Sequence, residues 1–246
     1  MALLTVPFPA FGVRAVWAPA GPFRLAQPRR LIARGQAAAL FRAAGWRHPF
    51  GHLRLTSTMP PGGGGGASTA AIVATARLLG LAAPRLPDLA VAIERASDPS
   101  MLADPGAWLW APRRARAVRQ MARPAPMRLV GGFVGPPRWT DPGDGAFDDI
   151  SDLVTCWDGA ETAADFAALA QASATRRLGR LGEDPAPWAD AVRQSGALGF
   201  IIAHSGSARG LLLALDAGPP AILAARRALQ ARGARGCVTG RVGGAA

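Results

Sequence analysis

The chain has 246 residues, half of them hydrophobic, enough for one large domain or two compact ones with a substantial buried core, which excludes a disordered chain. Its formal charge is +12 with a pI of about 11.7, yet all 28 basic residues are arginine, and Lys, Asn and Tyr are absent together. Those three share A/T-rich codons, so their joint loss points to a GC-rich genome; the arginines are scattered, their densest group (Arg113, Arg114, Arg116, Arg119, Arg123) is short, and with no recognition motif a nucleic-acid partner is not expected.

Cys156 and Cys237 form no metal-type or redox-type spacing, which fits a reduced, cytoplasmic compartment. The first residues lack a basic region and a small-residue cleavage site, so no signal peptide is expected. The longest uncharged window, residues 55–76, is interrupted by Pro60, Pro61 and five glycines and is not expected to span a membrane.

In chain order, residues 3–8, 12–19 and 23–28 read as short strands separated by prolines. Residues 31–45 have a partly helical pattern, with Gly45 as its stop. Residues 51–58 alternate, with Leu53 and Leu55 on one face and His52 and Arg54 on the other, which predicts a strand. A glycine run follows and enters a helix over residues 67–80, where Ile72, Ala76 and Leu79 share a face and Gly80 closes it. A second helix is predicted over 87–97, with Pro87 in its first turn. Residues 107–111 read as a strand, 112–122 as a helix, 127–135 as a strand and 136–145 as a turn-rich loop. Helices are predicted over 158–181 and 187–194. The end reads strand (197–204), turn, strand (210–216), helix (221–233) and strand (237–242), a compact α+β unit. The Pro-rich stretch near residues 123–126 divides the chain into domains 1–123 and 124–246.

The segment from Leu53 to Gly80 is a strand, a glycine loop and a helix in direct succession, the parts that phosphate binding needs. Glycines let the backbone take positive φ and approach an anion closely. Successive N–H groups then face one concavity, and the first turn of the helix adds unpaired N–H groups and the positive end of its dipole. Ser68 and Thr69 stand in that first turn, where their hydroxyls have three uses: capping the helix, meeting a phosphate oxygen or holding Mg2+. The competing reading is a flexible linker followed by an ordinary capped helix. The loop is neither a Walker A motif, lacking Gly-Lys-Ser/Thr, nor the spaced dinucleotide fingerprint. A Ser-His-Asp hydrolase is unsupported, since Gly-x-Ser-x-Gly is absent.

The loop Pro60-Pro61-Gly62-Gly63-Gly64-Gly65-Gly66-Ala67-Ser68-Thr69-Ala70 resembles the Pro-x-Gly-x-Gly-x-x-Ser-Ser/Thr-Ala motif of the GHMP small-molecule kinases. Residues 94–106, 130–135 and 199–213, the last with its Ala-His-Ser-Gly turn, are similar to segments of one branch, the L-threonine kinases of cobalamin biosynthesis and propanediol utilisation. The resemblance implies an α+β fold in two parts: a ribosomal-protein-S5-domain-2-like N-terminal domain over 1–123 and a ferredoxin-like C-terminal domain over 124–246, with ATP and substrate meeting between them. It departs from the branch at Gly63, where a Lys is usual, and at Ala71, where an Asp is usual. The branch's Gly-Glu-x-x-Gln-Gly segment does not precede Met1, so the N-terminal domain is expected to lack its first strand.

The implied reaction is ATP-dependent phosphorylation of a small hydroxyl compound, L-threonine in the nearest branch, in the presence of Mg2+. ATP is expected at Pro61, Gly62, Gly63, Gly64, Gly65, Gly66, Ala67, Ser68 and Thr69, with Mg2+ at Ser68 and Glu94. By resemblance Asp98 stands beside the reacting hydroxyl as a base or orienting group; the alternative is that Asp98-Pro99 only starts a turn. For Glu94 a solvated helix face is the favoured alternative. His204, Ser205 and Gly206 belong by resemblance to a loop that closes over the substrate, although a lone His at a strand end is more often structural. The acidic run Asp141, Asp144, Asp148, Asp149 and Asp152 reads as a solvated loop leading into a helix N-terminus. No membrane partner is expected, and the sequence fixes no oligomeric state.

Overall fold

The alternation over residues 51–58 is realised as a central strand. In a computed structural model, which describes residues 3–139, 148–204 and 207–244, Leu53 and Leu55 are buried while His52, Arg54 and Thr56 are exposed. The elements are β1 (Leu3–Leu4), β2 (Val13–Pro22), β3 (Arg24–Ala26), α1 (Arg34–Ala43), β4 (Phe50–Ser57), α2 (Ala67–Leu78), α3 (Leu86–Glu94), β5 (Trp108–Ala111) and β6 (Arg116–Gln120). They continue with β7 (Met127–Phe133), α4 (Ser151–Trp157), α5 (Ala163–Arg180), α6 (Ala186–Ser195), β8 (Gly199–Ile202), β9 (Ala208–Ala214), α7 (Pro219–Gln230) and β10 (Arg235–Val242). The chain forms two units: unit 1 chiefly Phe11–Gln120 with Leu3, Leu4 and Thr5, unit 2 chiefly Met121–Arg138 and residues 148–244 with Val6–Ala10.

In unit 1, β4 pairs with β2 antiparallel and with β3 parallel, giving the order β2-β4-β3. Its apolar face meets Phe41 of α1; Trp17 packs edge-on against Phe41 and Phe50, and its indole N–H donates to the Phe50 carbonyl at 3.0 Å. Gly51 has φ +72, and a Cβ there would stand 2.3 Å from the Ala18 carbonyl oxygen, so the register shift between Ala18 and Pro22 requires glycine. Of the face that the spacing predicts for α2, Ile72 and Ala76 are buried and Leu79 is half-buried, and Gly80 ends the helix at φ +75. A second small sheet has the order β1-β5-β6.

Unit 2 is a four-stranded antiparallel sheet of order β10-β7-β9-β8. Val130 of β7, Leu211 and Leu213 of β9 and Phe200 of β8 form one core with Leu178 of α5, Trp188 of α6 and Leu229 of α7. Among the described residues, no helix is long and apolar enough to cross a membrane.

Three expectations are corrected. Residues 112–122 are not a helix: a turn at 111–114 and Ala115 at φ +51 lead into β6, which pairs antiparallel with β5. A helix would have put Arg113, Arg116, Arg119 and Arg123 on neighbouring turns, where like charges repel. The helix expected over 158–181 is present as α5 but starts five residues later, since residues 158–162 are not helical: Thr162 starts it through a capping box, its hydroxyl accepting from the Asp165 N–H while the Asp165 carboxylate accepts from the Thr162 N–H. The strand expected over residues 3–8 is limited to Leu3–Leu4.

Candidate functional site

β4 delivers the chain to the glycine loop through a local lock: the Ser57 hydroxyl donates to the Met59 carbonyl at 2.8 Å and accepts from the Met59 N–H at 3.1 Å. The Gly63 N–H then donates to the Pro60 carbonyl, closing a turn. Gly62, Gly64 and Gly66 have φ of +72, +83 and +75, whereas Gly63 and Gly65 do not have positive φ. Alternating backbone hand is the conformation from which anion-binding nests are built, although the Gly63 N–H is taken by the turn. A Cβ at Gly65 would come within 3.0 Å of the Met59 sulfur, so side chains are poorly accommodated here for packing reasons as well.

The loop ends on Gly66, which is itself the N-cap of α2 in the left-handed conformation and offers no side-chain cap. Ser68 and Thr69, in the first turn, turn their hydroxyls to another element. The Ser68 hydroxyl donates to Glu94 Oε2 at 2.6 Å, and the Thr69 hydroxyl donates to Glu94 Oε1. Of the uses open to these two hydroxyls, capping is not made: both donate to one carboxylate.

Glu94 is the last residue of α3, half-buried rather than a solvated face, which corrects the favoured sequence reading. Burial pushes its carboxyl above the ordinary value of 4.5; the hydroxyls of Ser68 and Thr69 pull it back down, and the nearby charge of Asp98 raises it. A carboxylate and two hydroxyls are hard oxygen donors of the kind Mg2+ takes, and one carboxylate supplemented by phosphate and water is its usual arrangement in phosphoryl-transfer sites. The residues present therefore fit the ion. Among the described residues no group of three or more His, Cys, Asp or Glu could hold a metal, so an all-protein metal cage is not the arrangement here.

After Glu94, Arg95 takes φ +58 and the chain is pinned to the start of the 112–115 turn. The Ser97 N–H and hydroxyl both donate to the Pro112 carbonyl, the Trp110 indole N–H donates to the Ser97 oxygen at 3.1 Å, and Arg113 donates to the Arg95 carbonyl. This anchoring fixes Asp98. One Asp98 oxygen accepts from the Ser100 N–H at 2.8 Å, capping a 3-10 turn over Pro99–Met101, and the other accepts from the Thr5 hydroxyl at 3.4 Å. The turn-starting reading of Asp98-Pro99 holds, and the second oxygen remains directed elsewhere.

The structure thus brings together the glycine loop, Ser68, Thr69, Glu94 and Asp98, all within unit 1. Thr5 and the Ser97–Trp110 anchor were not found by sequence reasoning; a single Thr after a two-residue strand carries no pattern that links it to a residue 93 positions later. His204 follows β8 in unit 2, half-buried; Ser205 and Gly206 lie outside the described residues, as do Asp141 and Asp144. Asp148, Asp149 and Asp152 are tied to arginines of α5: Arg176 pairs with Asp152 at 2.5 Å and donates to the Asp149 carbonyl, and Arg180 pairs with Asp148 at 2.7 Å. Arg176 holds the Asp152 carboxyl down at about 2.

No family model matches the chain, and no curated protein does. Solved structures do. Mevalonate kinase of L. major, in complex with R-mevalonate, is 16% identical with a TM-score of 0.56, over 95% of this chain and 86% of that one. Another mevalonate kinase is 9% identical with a TM-score of 0.57, over 94% and 88%. That of methicillin-resistant Staphylococcus aureus is 15% identical with a TM-score of 0.53, over 93% and 85%. At these identities the likeness establishes the fold: the chain has the α+β fold of the GHMP kinases.

Proposed function

We propose that the protein is a kinase that transfers the γ-phosphoryl group of ATP to the hydroxyl of a small molecule. The observation that carries this reading is the convergence of Ser68 and Thr69 on Glu94 directly behind a loop of alternating backbone hand. In this reading unit 1 is the ATP-binding domain. The N–H groups of Gly62 and of residues 64–67 hold the phosphates, that of Gly63 being taken by the Pro60 carbonyl, aided by the uncapped start of α2. Ser68 and Glu94 hold Mg2+, whose charge offsets that of the phosphates.

Asp98 faces the acceptor. Its carboxylate orients the alcohol and takes the hydroxyl proton as the alcohol oxygen bonds to the γ-phosphorus; the bond from that phosphorus to the bridging oxygen breaks, and ADP leaves. Thr5, donating to Asp98, fixes the carboxylate's direction. L-threonine, giving O-phospho-L-threonine for cobalamin assembly, is the substrate that the sequence resemblance favours; the structural likenesses to mevalonate kinases support a small alcohol more generally.

The test is ATP consumption with Mg2+ and L-threonine, with homoserine, L-serine and R-mevalonate in parallel. Turnover with threonine, abolished in Ser68→Ala and Asp98→Ala, supports reaction and roles together. Turnover with another alcohol alone replaces the substrate and keeps the reaction. ATP binding without any turnover makes the protein a non-catalytic relative.

A further inference from the structure

Residues 1–87 contain ten arginines and neither aspartate nor glutamate; the first acidic residue is Asp88, and all 16 lie from there on. This first third of the chain therefore carries a formal +10 of the total +12. The nucleotide site described above does not account for it, since that site is built from backbone amides, hydroxyls and carboxylates.

The β2-β4-β3 sheet buries one face and leaves the other open. On the open face stand Arg14, Val16 and Ala18 of β2, His52, Arg54 and Thr56 of β4, and Arg24 and Ala26 of β3, all exposed. In register Val16 lies beside Arg54 and Arg14 beside Thr56, while on the other side Arg24 lies beside His52 and Ala26 beside Arg54. Arg24, Arg54 and Arg14 consequently form one diagonal, each a strand across and two residues along from the last. Strand spacing and rise put about 8 Å between successive Cα atoms of this row. None of the three makes a hydrogen bond or ion pair among the described residues.

We propose that this open face docks the phosphodiester backbone of a nucleic acid without reading its bases. A row of arginines evenly spaced along the sheet suits a repeating row of single negative charges, and each planar fork matches a phosphate. The His52 imidazole is the one aromatic ring among the residues of the face, with no Phe or Trp beside it to make a stacking platform, so affinity comes chiefly from phosphate contact and counterion release. An acidic protein is the poorer match, because interfaces of that kind centre on apolar and aromatic anchors, and Val16 is the one large apolar side chain in the row's vicinity. Arginines that are scattered in the sequence become a row only when β2, β3 and β4 pair, which is why the sequence alone does not suggest this partner.

The proposal is independent of the kinase reading and is tested on the full chain by fluorescence anisotropy with a labelled single-stranded DNA of mixed sequence, about 20 nucleotides long, between about 50 and 200 mM salt. The expected result is binding at low salt that the triple variant Arg14→Gln, Arg24→Gln, Arg54→Gln weakens at least tenfold. Its log K against log salt slope becomes shallower by about 2, as loss of three phosphate contacts requires. The triple variant Arg193→Gln, Arg227→Gln, Arg235→Gln removes the same charge from unit 2 and stays within about twofold of the parent, since exposed charge that is not part of the row contributes only a screened attraction. Both triples keep the parent's melting temperature and any ATP turnover. Equal losses in the two triples, no binding at low salt, or competition by poly-glutamate as effective as unlabelled DNA would each overturn the proposal.

Discussion

The two units treat their charged side chains in opposite ways. In unit 2, Arg209 is buried, lies over the Trp188 ring and pairs with Glu183 at 2.6 Å; Glu183 also takes Arg138, and Arg176 and Arg180 answer Asp152 and Asp148. In unit 1, Glu94 and Asp98 accept from hydroxyls and an amide, and they repel each other. The difference separates scaffolding from chemistry. Carboxylates that carry their own cations hold helices in place; carboxylates held only by neutral donors keep the capacity to take a metal ion or a proton.

The sharpest way to break this comparison is to neutralise one charged side chain from each side. Asp98→Asn is expected to lower kcat by about 10²–10⁴-fold, the usual contribution of a positioned proton acceptor, with the melting temperature unchanged. Arg209→Met is expected to do the reverse. It removes the partner of Glu183 and the cation over Trp188, and should cost about 2 kcal/mol or more in urea unfolding, with ATP affinity per folded molecule intact. If Asp98→Asn unfolds the protein while Arg209→Met is neutral, the division between the units is wrong.

How much of this was legible beforehand differed between the units for a physical reason. The glycine loop and the faces of β4 and α2 are local patterns, and Leu53, Leu55, Ile72 and Ala76 were placed by spacing alone. Ser68, Thr69 and Glu94 were named, but their contact was not, because it joins the first turn of one helix to the last of another across 26 residues. Glu94 looked like a solvated residue for the same reason: its burial is set by tertiary neighbours, not by its own helix. The 112–120 segment was misread because arginine has high helix propensity, which the turn at Ala115 and the pairing of β6 with β5 override.

Two smaller effects sharpen the comparison. Folded Glu94 has a raised pKa, so it binds its proton more tightly than the unfolded chain does, and stability falls as pH rises from about 4.5 through that raised value. Glu94→Gln should remove this slope and equal or exceed the parent's stability at neutral pH, measured by urea unfolding across pH, while losing the stabilisation that Mg2+ adds with ATP. A slope unchanged in Glu94→Gln would place the titration elsewhere. The smallest effect belongs to Thr5: Thr5→Val should reduce kcat a few-fold through loss of a long hydrogen bond of about 1 kcal/mol to the Asp98 carboxylate, and Thr5→Ser should restore it. Equal loss in both variants would indicate packing rather than hydroxyl donation.

Calorimetric titration of ATP with and without Mg2+, in the parent and in Ser68→Ala and Glu94→Gln, tests the central claim most directly. The account predicts that Mg2+ tightens ATP binding in the parent and that both substitutions abolish this gain, leaving weak, Mg2+-independent binding to the loop amides. ATP binding that ignores Mg2+ in the parent, or a Mg2+ gain that survives in both variants, would contradict the assignment of Ser68 and Glu94 as the metal-holding pair.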